Sequence, residues 1–173
     1  MNTATLASTY VFGFLVVVAI GVVIRRMLHG WRNRADRQVA LIGDLPAMPE
    51  LINPALVAPT RGLYLGSTIA GNWLERVTAD DLGYRCKAVL TRYPEGILLE
   101  RSGAGPIWMP ETSISGVRAE RAMAGKVIPG RGGPAAPGAI LVIRWRLPTG
   151  TEIDTGFRGD DRRDYTRWIG AAA

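Results

Sequence analysis

The chain has one cysteine, Cys86, and one histidine, His29. A lone thiol excludes an internal disulfide and suits a reducing compartment, and the pair excludes a zinc site built from Cys and His clusters within one chain. No nucleophile–base pair is legible, because His29 lies in an arginine-rich stretch far from the rest of the chain. The glycine-rich Gly130–Gly133 is not followed by Gly-Lys-Ser/Thr, which argues against a phosphate-binding loop; it reads as part of a flexible excursion over 124–138. Asp160, Asp161 and Asp164 alternate with Arg162 and Arg163 and read as helix capping rather than a metal cluster. No catalytic, cofactor-binding or metal residue is therefore assigned.

Charge is also missing, and its absence is local. Between Asn2 and Ile24 there is none, and then come Arg25 and Arg26. An uncharged run of this length fits a membrane-spanning helix, which needs roughly 20 residues. No Lys or Arg precedes it and no small-x-small site follows it, so it reads as a retained anchor over 1–26, not a cleaved signal. Basic residues flank the cytoplasmic side of a span. We therefore expect one pass through the plasma (inner) membrane, the N-terminus outside and the C-terminal domain in the cytosol. Tyr10 and Trp31 fall where interfacial aromatics settle. Gly13 and Gly21 lie on one helical face, a candidate packing seam; the plainer reading is a monomeric tether.

The formal charge of +6 and pI near 10.1 invite a nucleic-acid reading, which the distribution rejects. From Arg25 to Arg37 five arginines stand against Asp36, a balance of +4; the remaining 16 basic and 14 acidic residues balance at +2. The excess is juxtamembrane. Arg25, Arg26, Arg32, Arg34 and Arg37 are expected to contact anionic headgroups non-specifically, each contributing on the order of 1 kcal/mol. A nucleic-acid binder needs its basic face on the domain.

Residues 27–60 read as this basic segment followed by a connector, with Pro46, Pro49, Pro54 and Pro59 opposing a helix. From 61 to 173 the pattern is short strands. Gly62–Ala70 is the first; Cys86–Arg92 and Gly96–Arg101 form a hairpin over Tyr93-Pro94-Glu95-Gly96. Pro106–Met109 and Ser113–Arg121 are further candidates. Ala139–Leu147 and Thr151–Phe157 flank a Pro148-Thr149-Gly150 loop. Placing Leu147 opposite Thr151 pairs Trp145 with Ile153, Ile143 with Thr155 and Leu141 with Phe157 on one side, and Arg146 with Glu152 and Arg144 with Asp154 on the other. A final helix is expected to start at Asp160 as N-cap, with Tyr165, Trp168 and Ile169 as its apolar stripe.

About seven antiparallel strands closed by one C-terminal helix resembles the pleckstrin-homology (PH) superfold. The stretches 62–77 (GLYLGSTIAGNWLERV), 92–101 (RYPEGILLER) and 144–158 (RWRLPTGTEIDTGFR) are similar to small actinobacterial single-span membrane proteins with a bacterial PH-like domain, often labelled export- or transporter-like. The resemblance implies an N-terminal transmembrane helix plus a mainly-β PH-like roll. It does not bring lipid recognition with it: phosphoinositide-binding relatives carry Lys and Arg in the loop after the first strand, where this chain has Glu75, Asp80 and Asp81 against Arg76. The expectation is a non-enzymatic, membrane-tethered module that recruits a protein partner, with Trp73, Glu75 and Arg76 as candidate contacts. The alternative is an accessory subunit of a transport or envelope-assembly complex.

Overall fold

The computed structural model describes residues 3–127 and 140–170, and the side chains of 3–11, 29–38, Asp80, Arg162 and Gly170 fall outside that description. The chain divides into two compact units, one up to Arg37 and one from Gln38. The first is helical. Helix α1 runs Thr3–Ile42, and its last turn belongs to the second unit. Its described side chains from Phe12 to Leu28 are all exposed. Among the described residues no helix is long and apolar enough to cross a membrane; the apolar run described, Phe12 to Ile24, is shorter than the roughly 20 residues a span needs.

The second unit carries β1 (Val57–Ile69), β2 (Cys86–Tyr93), β3 (Gly96–Arg101), β4 (Ile107–Pro110), β5 (Ile114–Glu120), β6 (Ala122–Met123), β7 (Lys126–Val127), β8 (Ile140–Arg146), β9 (Glu152–Gly159) and helix α2 (Tyr165–Gly170). Seven strands form one antiparallel sheet in the order β4-β3-β2-β1-β9-β8-β5, and β6 and β7 form a separate hairpin. β1 is long, 13 residues, because it pairs with β2 on one side and β9 on the other. It opens at Val57, earlier than the expected Gly62. Pro59 does not prevent this, because it sits at a register shift between Val57 and Thr60, where the missing amide donor breaks no ladder bond. A second shift between Tyr64 and Gly66 turns both Tyr64 and Ser67 toward the core.

The β8–β9 hairpin has the expected register, from Leu141 opposite Phe157 to Arg146 opposite Glu152. Leu147 N donates to Thr151 O, and Gly150 closes the loop at φ +88°, which glycine adopts without steric cost. The inward set (Leu141, Ile143, Trp145, Ile153, Phe157) is fully buried. The outward set is not simply surface. The β6–β7 hairpin folds over it, so that Met123, Ala124, Leu65, Ile140 and Val142 form a second small core. The hairpin lies so close that a Cβ on Gly156 would stand 2.7 Å from Met123 Cγ. The excursion expected over 124–138 therefore begins with ordered structure, a tight Ala124-Gly125 turn; Gly130–Gly133 lie outside the described residues.

At the C-terminus Tyr165 and Trp168 are buried as expected, but Asp160 does not cap the helix. Its amide bonds to Arg61 O and prolongs the β1–β9 ladder, while Asp161 Oδ1 accepts the Arg163 amide at 2.9 Å. The indole of Trp168 donates to Thr60 Oγ1 at 3.1 Å, fastening α2 across one end of the roll. The connector is likewise attached. Leu41 O accepts both Thr149 Oγ1 (2.6 Å) and Thr151 Oγ1 (2.8 Å), Ile42 is buried in the main core, and Leu56 N donates to Arg92 O.

A polar chain crosses the core. Trp145 Nε1 donates to Thr155 Oγ1 (2.9 Å), which meets Ser67 Oγ (3.0 Å), which meets Tyr64 OH (2.9 Å), which donates to Leu82 O. An indole only donates and a carbonyl only accepts, so every hydroxyl proton in between has one direction. Burial pushes the Tyr64 phenol up to about 12, only partly offset by the Ser67 hydrogen bond and the Arg101 charge. Its folded-state value thus lies above that of the unfolded chain. Stability is intact below about pH 10 and declines as pH rises from there toward 12. Thr155→Val leaves the indole N–H without a partner and should cost about 1–3 kcal/mol. Urea denaturation followed by tryptophan fluorescence checks both expectations.

Candidate functional site

The segment between β1 and β2 starts at a Gly71-Asn72 turn, a pair suited to tight turns. Asn72 Oδ1 accepts the Leu74 amide (3.2 Å) and Asn72 O accepts the Glu75 amide (3.0 Å), so Trp73 and Leu74 stand at the tip of a closed loop. Below the tip the chain runs back along β1: Ile69 N bonds to Glu75 O, and Val77 N to Ser67 O. Val77, Ala79 and Leu82 then enter the main core. The base is rigid and the tip is presented to solvent, with Trp73 40% and Leu74 63% exposed.

The candidate contacts separate. Trp73 and Glu75 share the exposed tip, where Glu75 Oε2 accepts the Asn72 amide at 3.2 Å. Arg76 is turned inward: its guanidinium donates to the carbonyls of Gly83 (2.8 Å), Leu65 (3.1 Å) and Ala124 (3.2 Å). Where the sequence suggested a partner contact, Arg76 is fastened to the fold. Arg25 and Arg26 are exposed on α1, and the side chains of Arg32, Arg34 and Arg37 lie outside the described residues.

Ala124 has φ +50°, an unfavourable conformation for a residue with a Cβ. The Arg76 bond to its carbonyl and the Gly125 amide bond to Trp73 O (3.3 Å) hold it there. Asp81, at φ +58°, is held in the same manner by Arg101 Nη1 on its carbonyl at 2.7 Å. Two arginines thus hold two strained loop residues beside the Trp73 loop.

Under the tip lies a cleft of about 370 Å³, lined by Trp73, Met123, Val142, Arg118, Arg144 and Asp154 among others. Its polar side is one carboxylate shared by two guanidinium groups. Arg144 reaches Asp154 through Nε (2.9 Å) and Nη2 (2.8 Å), and Arg118 through Nη1 (3.2 Å) and Nη2 (2.9 Å). Arg118 Nε also donates to Glu120 Oε1 at 2.7 Å. The sequence identified the Arg144–Asp154 pair and missed Arg118. The only signal for it was the unassigned pairing of β5 with β8, which places Arg118 opposite Val142. Among the described residues no group of three His, Cys, Asp or Glu side chains is arranged to hold a metal ion. An aromatic wall, a methionine and charges already neutralised by one another make a surface for binding an apolar side chain with a polar rim.

The family described as Bacterial PH domain-like matches residues 42–173, and the chain belongs to it. The match begins at Ile42, the first core residue of the β unit. No curated protein matches the chain.

Burial raises the Asp154 carboxyl, but the hydrogen bonds from Arg144 and Arg118 outweigh it and the net displacement is downward. Its stabilisation is therefore complete above the usual carboxylate range and is lost as pH falls below about 4 through the lower folded-state value. Breaking a buried ion pair costs about 3–5 kcal/mol, and less here because both arginines are about one-third exposed. Asp154→Asn should destabilise by about 2 kcal/mol at neutral pH and flatten the acid limb of the stability curve, as read by denaturation between pH 2 and 7.

Proposed function

We propose that the chain is a non-enzymatic, membrane-tethered PH-like module that recruits or organises a protein partner at the inner face of the plasma membrane. The observation that carries this reading is the Trp73 tip: a large aromatic half exposed on a loop whose base is fixed, beside a preformed cleft. Such pre-ordered aromatics dominate binding energy at protein interfaces. A phosphoinositide is a poor ligand for this loop, where Glu75 and Asp81 are exposed and Arg76 is engaged inward.

The tether rests on the sequence continuing uncharged from Ile24 back to Asn2, and on the exposed apolar circumference of α1 from Phe12 to Ile24. A helix apolar on every side requires protein or lipid around it. With Arg25 and Arg26 at its end, lipid with a cytosolic β unit is the economical environment. The resemblance to single-span actinobacterial proteins points the same way.

Photo-crosslinking from position 73 in intact cells, with neighbours identified by mass spectrometry, tests recruitment. One neighbour should dominate. In a second experiment, fixed-length amine crosslinking with Trp73→Ala/Leu74→Ser should reduce its recovery at least tenfold, while the protein stays in the membrane fraction. A neighbour set unaffected by the substitutions removes Trp73 from the reading; digestion of the β unit by protease added to spheroplasts removes the cytosolic placement.

A further inference from the structure

Gly66, Gly156 and Val142 stand side by side across β1, β9 and β8, so two neighbouring positions on the sheet carry no side chain. Arg76 lies over Gly66 and Met123 over Gly156. Met123 is 2% exposed, packs in the small core with Leu65 and Val142, and accepts the Thr68 hydroxyl on Sδ at 3.8 Å. The same side chain is a wall of the Trp73 cleft. Taking it away prolongs that cleft over Gly156, into an apolar seat with one hydroxyl donor. The hairpin that carries Met123 is lightly held. Its strands are two residues each and pair with one another, not with the seven-stranded sheet; isolated two-stranded hairpins are marginally stable in water. Its turn keeps Ala124 in the left-handed region at φ +50°. Its bonds to the rest of the unit include Gly125 N to Trp73 O at 3.3 Å and Arg76 to Ala124 O at 3.2 Å. An element so attached opens at lower free energy than the sheet beneath it.

We propose that Met123 occupies a seat for the methionine side chain of a partner protein, which enters as the β6–β7 hairpin lifts away. The present occupant carries the argument. An unbranched, flexible side chain follows the glycine floor, and a thioether accepts the weak bond from Thr68. Arg118 and Arg144 at the rim are already paired with Asp154, so the site calls for no charge on what enters it. The proposal rests on the Trp73 cleft being a protein-binding site, and it names the side chain that this site takes.

Two substitutions separate a seat from simple packing. Met123→Ala and Gly156→Ala both remove the contact that holds the hairpin down. In the second the added Cβ meets Met123 Cγ at 2.7 Å, while Gly66 O stays at an ordinary 3.5 Å. Only the first leaves the seat open. With the full chain in detergent, hydrogen exchange of amides 122–127 should quicken about tenfold in both variants, with β2 and β3 unchanged as the measure of intact folding. Saturation transfer to N-acetylmethionine amide should be about threefold stronger in Met123→Ala than in the unaltered chain, because no self-occupant has to leave first. In Gly156→Ala it should fall below the unaltered chain, and N-acetylalanine amide should show no such order. Transfer in Met123→Ala no stronger than in the unaltered chain overturns the proposal, and this comparison decides alone if Gly156→Ala disturbs β2 or β3. Gly156→Ala ranking with Met123→Ala, or hairpin exchange unchanged in both, also overturns it. The partner reading fails separately: if the order holds while position 73 captures no dominant neighbour in cells, the seat stands and its use by a protein partner falls.

Discussion

The arrangement depends on the hydroxyl chain through the core. Trp145 on β8, Thr155 on β9, Ser67 and Tyr64 on β1, and Leu82 beyond the Trp73 loop are all buried, so each polar atom must find its partner inside the protein. A fixed proton direction fixes side-chain orientation as well. The chain therefore joins two central strands to their neighbour and to the segment that follows the exposed tip. At Leu82 the chain ties the end of that segment back to β1.

Much of the fold was legible where the contacts were local. The β8–β9 register followed from residues at most sixteen apart, because apolar alternation and opposite charges could be satisfied together by one pairing. Contacts between distant segments were not legible. Nothing near Arg118 indicates that Asp154, 36 residues on, lies within reach. The start of β1 was hidden because Pro59 signals irregular chain unless its place at a bulge is known. Likewise, Ala124-Gly125 gives no conventional hairpin signal, and its left-handed alanine is held from outside by Arg76. Trp73 was legible as an exposed candidate; the cleft beneath it was not, since its walls come from β5, β6, β8 and β9.

The same contrast applies to charge. Counted from composition the β unit is slightly basic, yet Arg76, Arg101, Arg118 and Arg144 are engaged by backbone carbonyls or by Asp154. Arg92, 3% exposed, is paired with Glu111 at 2.7 Å. These five arginines are thus structural. Net charge is a poor guide to what such a domain attracts.

The attachment of Leu41 and Ile42 changes what the proline-rich stretch can be. With Ile42 inside the core and Leu41 O hooked by two threonines, its first end is fixed; with Leu56 bonded to Arg92, so is its last. A segment anchored at both ends on one body has a set length and cannot serve as a hinge. Lengthening it would loosen a loop without extending the reach of the β unit, and a fragment beginning after Thr60 would lose Ile42 and Val57 from the core.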